Sequence, residues 1–166
     1  MLFELPTSDE IDALAVTSPH IEVRKIEIDI SSEKADLNYA PCKAQVVLVT
    51  RGPNGTALAR TAPSVPWRLP SGRVASNEDV QKAVRRISGE FGISVKSMEL
   101  SGIYDVVWHY ADISIKRLHL AYEVLTDDEE PGPSRAGTEV RFFRELPVEA
   151  LADEVSKAAI ADCTQK

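Results

Sequence analysis

Arginines bracket one short stretch of this sequence. Arg60, Arg68 and Arg73 flank or fall within the run Trp67-Arg68-Leu69-Pro70-Ser71-Gly72-Arg73, and Arg86 follows on the next helical pattern. A guanidinium presents a planar fork of N–H donors that matches phosphate oxygens, so these four side chains predict binding of a phosphate-bearing anion. Arg86 could neutralise phosphate without activating water. His109 and His119 fall on strand patterns with no Ser or Cys nucleophile paired to them, and read as structural. Cys42 and Cys163 are far apart, in neither metal-like nor redox-like spacing, so two free thiols are expected.

The elements that must carry these residues follow from periodicity. Residues 8–14 form a short helical pattern. Between Ile21 and Ile30 the apolar alternation changes phase after Val23, which predicts a β-bulge near Arg24-Lys25. Residues 31–41 read as a loop. Residues 45–50 are a near-continuous apolar run, as expected of a strand buried on both faces, and Pro53-Asn54-Gly55 turns it back into 56–60. A helix is predicted over 78–91, with Val80, Ala83, Val84, Ile87 and Phe91 on one stripe. Ser76 or Asn77 could cap it, Asp79 standing three after Ser76 as in a capping box, and Gly92 suits a left-handed C-terminal residue. Further strands are expected at 98–107, 113–125 and 139–144, a Pro- and Gly-rich acidic loop at 127–137, and a last helix at 148–162. This order predicts the α+β class. The chain is expected to be one globular unit, with residues 1–43 as an N-terminal extension and 44–166 as the domain.

Composition narrows the partners. A chain of 166 residues with 43% apolar and 27% charged residues suits a single folded domain. Its net charge of −7 argues against a nucleic-acid or membrane-surface partner, because phosphate backbones and anionic lipids repel such a surface. No apolar run approaches membrane-spanning length. The start, Met1 to Pro6, has no basic segment followed by an apolar one, so a cytoplasmic location is expected.

Taken together, Trp67-Arg68-Leu69-Pro70, Gly72, Glu78, the pair Arg85-Arg86, Glu90, Gly92 and Ile93 resemble the signature of Nudix hydrolases. That signature runs Gly, five residues, Glu, seven residues, then Arg-Glu-aliphatic-x-Glu-Glu-x-Gly-aliphatic, usually after Trp-x-Leu-Pro-Gly. The segment Glu139-Val140-Arg141-Phe142-Phe143-Arg144-Glu145-Leu146-Pro147 resembles the strand and turn that close many such domains, so the resemblance spans residues 44–162. It implies an α/β/α sandwich with a mixed β-sheet, a core position for Trp67, and Mg²⁺-assisted hydrolysis of diphosphate anhydride bonds in nucleoside diphosphate-linked compounds. Glu90 would be a metal ligand and catalytic residue, with Gly72, Glu78, Arg60, Arg68, Arg73 and Arg86 around the ligand. The strand pattern at 21–30 resembles the extension of ADP-ribose pyrophosphatase-like members and implies a homodimer.

The departures from the signature bear on catalysis. In the family, three helical glutamates at i, i+3 and i+4 face one way and hold Mg²⁺ against a diphosphate. Here the sequence is one residue short between Glu78 and Gly92. Anchoring on Gly92-Ile93 puts Arg86, Gly89 and Glu90 at the glutamate positions; anchoring on Gly72 and Glu78 puts Ile87, Glu90 and Phe91 there. The apolar stripe favours the first, because Ile87 then takes the buried aliphatic slot. Either way Glu90 alone remains, and in the first anchoring Arg86, Gly89 and Glu90 sum to no net charge where the family has three negatives. An Arg beside a divalent ion adds repulsion of about 1 kcal/mol per unit-charge pair at about 4 Å in water. Ser71 also stands where the family commonly has Gly. Acids outside the box that could substitute are Glu139, Asp112 and the run Asp127-Asp128-Glu129-Glu130, with Glu139 the best placed. The sequence therefore predicts a phosphate-ligand binding protein with weak or lost hydrolysis. The alternatives are an active Mg²⁺-dependent pyrophosphohydrolase of ADP-ribose or nucleotide type using such acids outside the box, and a non-catalytic interaction scaffold.

Overall fold

The computed structural model describes residues 21–29, 44–75, 77–110, 113–135, 137–147, 151 and 154–164. The expected helix at 8–14, the loop at 31–41, Cys42, Ser76 and Asp112 lie outside them. Seven strands form one mixed sheet: β1 (Val23–Asp29), β2 (Ala44–Gly52), β3 (Gly55–Arg60), β4 (Ser71–Val74), β5 (Ser97–Tyr110), β6 (Ile113–Leu125) and β7 (Glu139–Phe143), with helices α1 (Val80–Glu90) and α2 (Glu154–Thr164). The strand order is β1-β5-β6-β2-β3-β7, with β4 also pairing β2. The β1–β5 and β6–β2 pairs are parallel and the others antiparallel. No described helix is long and apolar enough to cross a membrane.

Apolar residues on both faces of β2 explain the sandwich. Val46 and Leu48 point into one core with Val74, Ile103 and Leu120, which the stripe Ala83, Val84 and Ile87 of α1 covers. Val47 and Val49 point into a second core with Leu58, Leu69, Tyr104 and Val106, covered by Val155, Ala159 and Ile160 of α2. Val46, Leu48 and Ile87 are fully buried, and such side chains each contribute roughly 1.5–3 kcal/mol. The α+β, α/β/α architecture expected from the sequence is the one observed.

Three local expectations need correction. β1 runs in continuous register against β5, from Val23 opposite Ile103 to Asp29 opposite His109, without the bulge expected at Arg24-Lys25. The phase change reflects ordinary alternation serving both faces: Ile21 belongs to the α1-side core, whereas Ile26 and Ile28 pack on the α2 side. The sheet's irregularity falls instead between Leu100 and Gly102 of β5. The N-cap of α1 is Asp79, which accepts a hydrogen bond from the Gln81 amide at 2.9 Å, and not Asn77. The last helix begins at Glu154, and Leu151 before it is non-helical and buried in the second core.

Gly92 does close the first helix, with φ of 75°, and its amide donates to the Gly89 carbonyl at 3.0 Å. The acidic loop then docks on that helix end. The Gly132 amide donates to the Gly92 carbonyl at 2.8 Å, the Arg135 amide to the Glu90 carbonyl at 2.9 Å, and the Ser94 amide to Asp128 Oδ2 at 2.8 Å.

Candidate functional site

The segment before β4 is held in place from several sides. Ala59 and Arg68 exchange backbone hydrogen bonds of 2.8 and 3.0 Å, the Leu48 amide donates to the Pro70 carbonyl at 2.9 Å, and the Leu69 amide donates to Ser156 Oγ of α2 at 3.2 Å. Leu69 is buried between these anchors, while Arg68 stays exposed. Gly72 allows β4 to lie flat on α1, since a Cβ there would come within 2.7 Å of the Ile87 side chain.

A cavity of about 610 Å³ opens between this segment, β3, α1 and the docked loop, a volume in the range of small-molecule sites. Arg60, Arg68, Gly72, Arg73, Arg86 and Glu90 all line it. Five of its lining residues are arginines, because the docked loop adds Arg135. Arg135, a lone cation after an acidic run, carries no signal in sequence; its place depends on the Arg135–Glu90 backbone bond, a contact between residues 45 positions apart that periodicity does not encode. Gln45 also lines the cavity, and its Oε1 is buried without a donor among the described residues.

Arg86 is the centre of the acidic part of the site. Its Nε and Nη2 donate to Glu78 Oε2 and Oε1 at 2.8 and 2.9 Å, its Nη1 to Glu90 Oε1 at 3.2 Å, and its Nη2 also to the Arg73 carbonyl at 2.7 Å. The bidentate bond from Arg86, joined by the Ala75 amide, holds the Glu78 carboxyl down at about 2. Reciprocally, the hydrogen bonds to Glu78 raise the already high pKa of Arg86. Ile87 is fully buried while Arg86 and Gly89 face solvent, as the Gly92-anchored alignment requires.

The remaining acids are engaged elsewhere. Glu139 of β7 accepts from Arg60 Nε at 2.9 Å and from Arg141 Nη2 at 3.0 Å. The Arg60 hydrogen bond chiefly lowers its pKa. It is not among the residues lining the cavity. Arg60 in turn lies 4.2 Å above the Trp67 ring, with Arg141 at 5.7 Å and Phe143 edge-on at 4.9 Å. Trp67 is half-buried: it packs against the second core, and its ring is also a stacking platform for Arg60. Asp127 pairs with Lys96 and Asp128 caps Ser94, so the acidic run fastens the loop. His119 is buried edge-on to Trp108 at 5.6 Å. Cys163 is buried, and its thiol donates to Glu123 Oε2 at 3.1 Å.

The donor set can be tested against a magnesium ion. Among the described residues no three His, Cys, Asp or Glu side chains come together. The oxygens a divalent ion would need here, from Glu78, Glu90 and the Arg73 carbonyl, all accept hydrogen bonds from one guanidinium. A fixed positive charge fills the place between them. The residues present do not fit Mg²⁺.

No family model and no curated protein matches the sequence. The structure nevertheless superposes on the NUDIX domain of Shewanella oneidensis NrtR, crystallised with ADP ribose, with a TM-score of 0.59 at 16% identity over 80% of this chain and 94% of that one. It superposes likewise on the Bacillus subtilis pyrophosphohydrolase BsRppH, with a TM-score of 0.58 at 20% identity over 78% and 86% of the two chains. The chain has the Nudix fold. A MutT protein from Bacillus halodurans is a third such neighbour, with a TM-score of 0.56 at 16% identity over 71% and 79%. On this Nudix fold, Gly72, Glu78, Arg86 and Glu90 fall together, as the signature alignment implied, and Glu139 stands apart from them with Arg60 and Arg141.

Proposed function

We propose that this Nudix-fold chain binds a phosphate-bearing small molecule of the nucleoside diphosphate class in its arginine-lined cavity and hydrolyses it weakly or not at all. The observation that carries the reading is the guanidinium of Arg86 lodged between Glu78 and Glu90. Hydrolysis by the metal route needs a cation that polarises a phosphoryl oxygen and helps form the nucleophile. Here one guanidinium occupies both carboxylates, and it can meet a phosphoryl oxygen but cannot help form the nucleophile. Around them Arg60, Arg68, Arg73 and Arg135 suit phosphate oxygens, and a hydroxyl or amino group on the ligand would satisfy Gln45 Oε1. The NrtR domain crystallised with ADP ribose supports the ligand class by analogy of fold. Glu139 as a substitute acid finds no support, since two arginines already hold it. The reading retains the homodimer expected through β1, which sedimentation at micromolar concentration would test.

Thermal denaturation with ADP-ribose, ADP and AMP, each with and without Mg²⁺, tests the proposal. A ligand at about 100 times its Kd adds about 2.7 kcal/mol of stability, so a shift with or without Mg²⁺ is the expected result. Product analysis of the same mixtures should find little turnover. Brisk Mg²⁺-dependent hydrolysis that Glu90→Gln abolishes would overturn it.

A further inference from the structure

Four oxygens converge on one guanidinium: both of Glu78, one of Glu90 and the backbone carbonyl of Arg73. They come from three separate pieces of chain, namely the turn before α1, the last turn of α1 and strand β4. Carboxylate and carbonyl oxygens brought together in this way are the donors that a hard divalent cation collects. Without a positive charge at the centre, Glu78 and Glu90 would repel each other across the gap. The turn that carries Glu78, and strand β4, which carries Arg73 and part of the cavity wall, would lose their tie to the end of the helix.

We infer that Arg86 is a built-in cation, a positioning residue that takes the structural place of a divalent ion and fastens the β4–α1 loop to the helix end without any metal. The inference concerns the organisation of the site and stands whether or not the cavity takes a nucleotide. The guanidinium suits the task because its fork meets Glu78 with two parallel bonds and still reaches Glu90 and the Arg73 carbonyl. Its i,i+4 position relative to Glu90 places both on one side of α1, and the depressed carboxyl of Glu78 accords with a permanently occupied partner. The arrangement also makes a conversion predictable. With Arg86→Glu, residues 78, 86 and 90 would present three carboxylates where one cation was shared, and the loop would then need an external ion.

The test compares the unmodified protein with Arg86→Gln, Arg86→Lys and Arg86→Glu, measuring melting temperature in EDTA and across a Mn²⁺ titration, and Mn²⁺ binding by electron paramagnetic resonance. The unmodified protein should melt at the same temperature in both conditions. Arg86→Gln should melt lower in both, because it brings neither a charge nor a carboxylate. Arg86→Lys should recover part of the loss, supplying the charge without the fork. Arg86→Glu should melt lowest in EDTA, regain stability saturably with Mn²⁺, and bind Mn²⁺ at least about tenfold more tightly than the unmodified protein, a difference of about 1.4 kcal/mol. If Arg86→Glu does not fold in EDTA, refolding on Mn²⁺ addition is the same result in stronger form. A Mn²⁺ response in the unmodified protein equal to that of Arg86→Glu would overturn the inference. So would an Arg86→Glu variant that behaves like Arg86→Gln at every Mn²⁺ concentration.

Discussion

Glu78 shows how one side chain can be fixed by its neighbours. Its ordinary carboxyl value of 4.5 falls to about 2 because Arg86 donates two hydrogen bonds to it and the Ala75 amide a third. A group whose folded-state pKa is depressed stabilises the fold above its unfolded value, and that stability is lost as the pH falls through the folded value. The Glu78–Arg86 contribution should therefore be intact above about pH 5 and fade between 4.5 and about 2. Urea unfolding of the protein and of Glu78→Gln at a series of pH values checks this. The stability gap between them should be widest near neutral pH and shrink on acidification across that window. A gap that stays constant down to about pH 2 would mean that the carboxylate charge contributes nothing.

Two glycines on or against α1 look alike in sequence and should respond oppositely. Gly89 lies in the exposed face of the helix, and a Cβ there meets nothing within 4 Å. Gly89→Ala should then raise stability by about 1 kcal/mol, through helix propensity and a less disordered unfolded chain. For a chain of this size that is about 2–4 °C in Tm. Gly72 sits where β4 touches the helix, and a Cβ would fall 2.7 Å from Ile87 Cγ1 and 2.8 Å from its Cδ1. Gly72→Ala should cost about 1–3 kcal/mol by overpacking, and Ile87→Val in the same chain should return part of it. Calorimetry on these three variants and the unmodified protein reads both effects, and equal signs for the two glycines would refute the assigned contacts. This pair also marks what the sequence can and cannot convey. The stripe from Val80 to Phe91, the Pro53-Asn54-Gly55 turn and the two-faced burial of β2 were legible because local period dictates which face meets the core. So was the gathering of Gly72, Arg86 and Glu90, because the signature fixes their spacing along one loop and one helix. Contacts between distant segments were not. Nothing in the spacing of residue 139 reveals that Arg60 will bind it, since that depends on β3 and β7 pairing with Arg60 opposite Glu139. The bulge expected in β1 is unneeded for a related reason, since Ile21 serves one core while Ile26 and Ile28 serve the other.

At the scale of the whole molecule the sheet is continuous from β1 to β7, and the question is whether β1 behaves as an appendage or as part of the cooperative unit. The packing favours the second. Ile26 and Ile28 rest on the same core as Tyr104, Val106 and α2. Arg24 of β1 reaches both carboxylate oxygens of Asp162 in α2 at 2.6 and 2.7 Å, and the fully buried Tyr104 of β5 donates its hydroxyl to the same carboxylate at 2.6 Å. Burial, with Asp162 adding to it, pushes the Tyr104 phenol far above its ordinary range, so it remains a neutral donor at every working pH. Asp162 is thus the node at which the first strand, the central sheet and the last helix meet. Replacing it with alanine leaves the Tyr104 hydroxyl buried without its acceptor, at a cost of about 1–3 kcal/mol, and frees Arg24 as well. The surface-exposed Arg24 pair alone should add at most about 1 kcal/mol. The expected outcome for Asp162→Ala is one unfolding transition displaced to lower temperature, with calorimetric and van't Hoff enthalpies still in agreement. Amide exchange should accelerate together in β1 (at Ile26 and Ile28) and in α2. If β1 instead exchanged freely in the unmodified protein, or melted in a separate earlier step, the strand would be a detachable extension and the division at residue 43 a physical boundary.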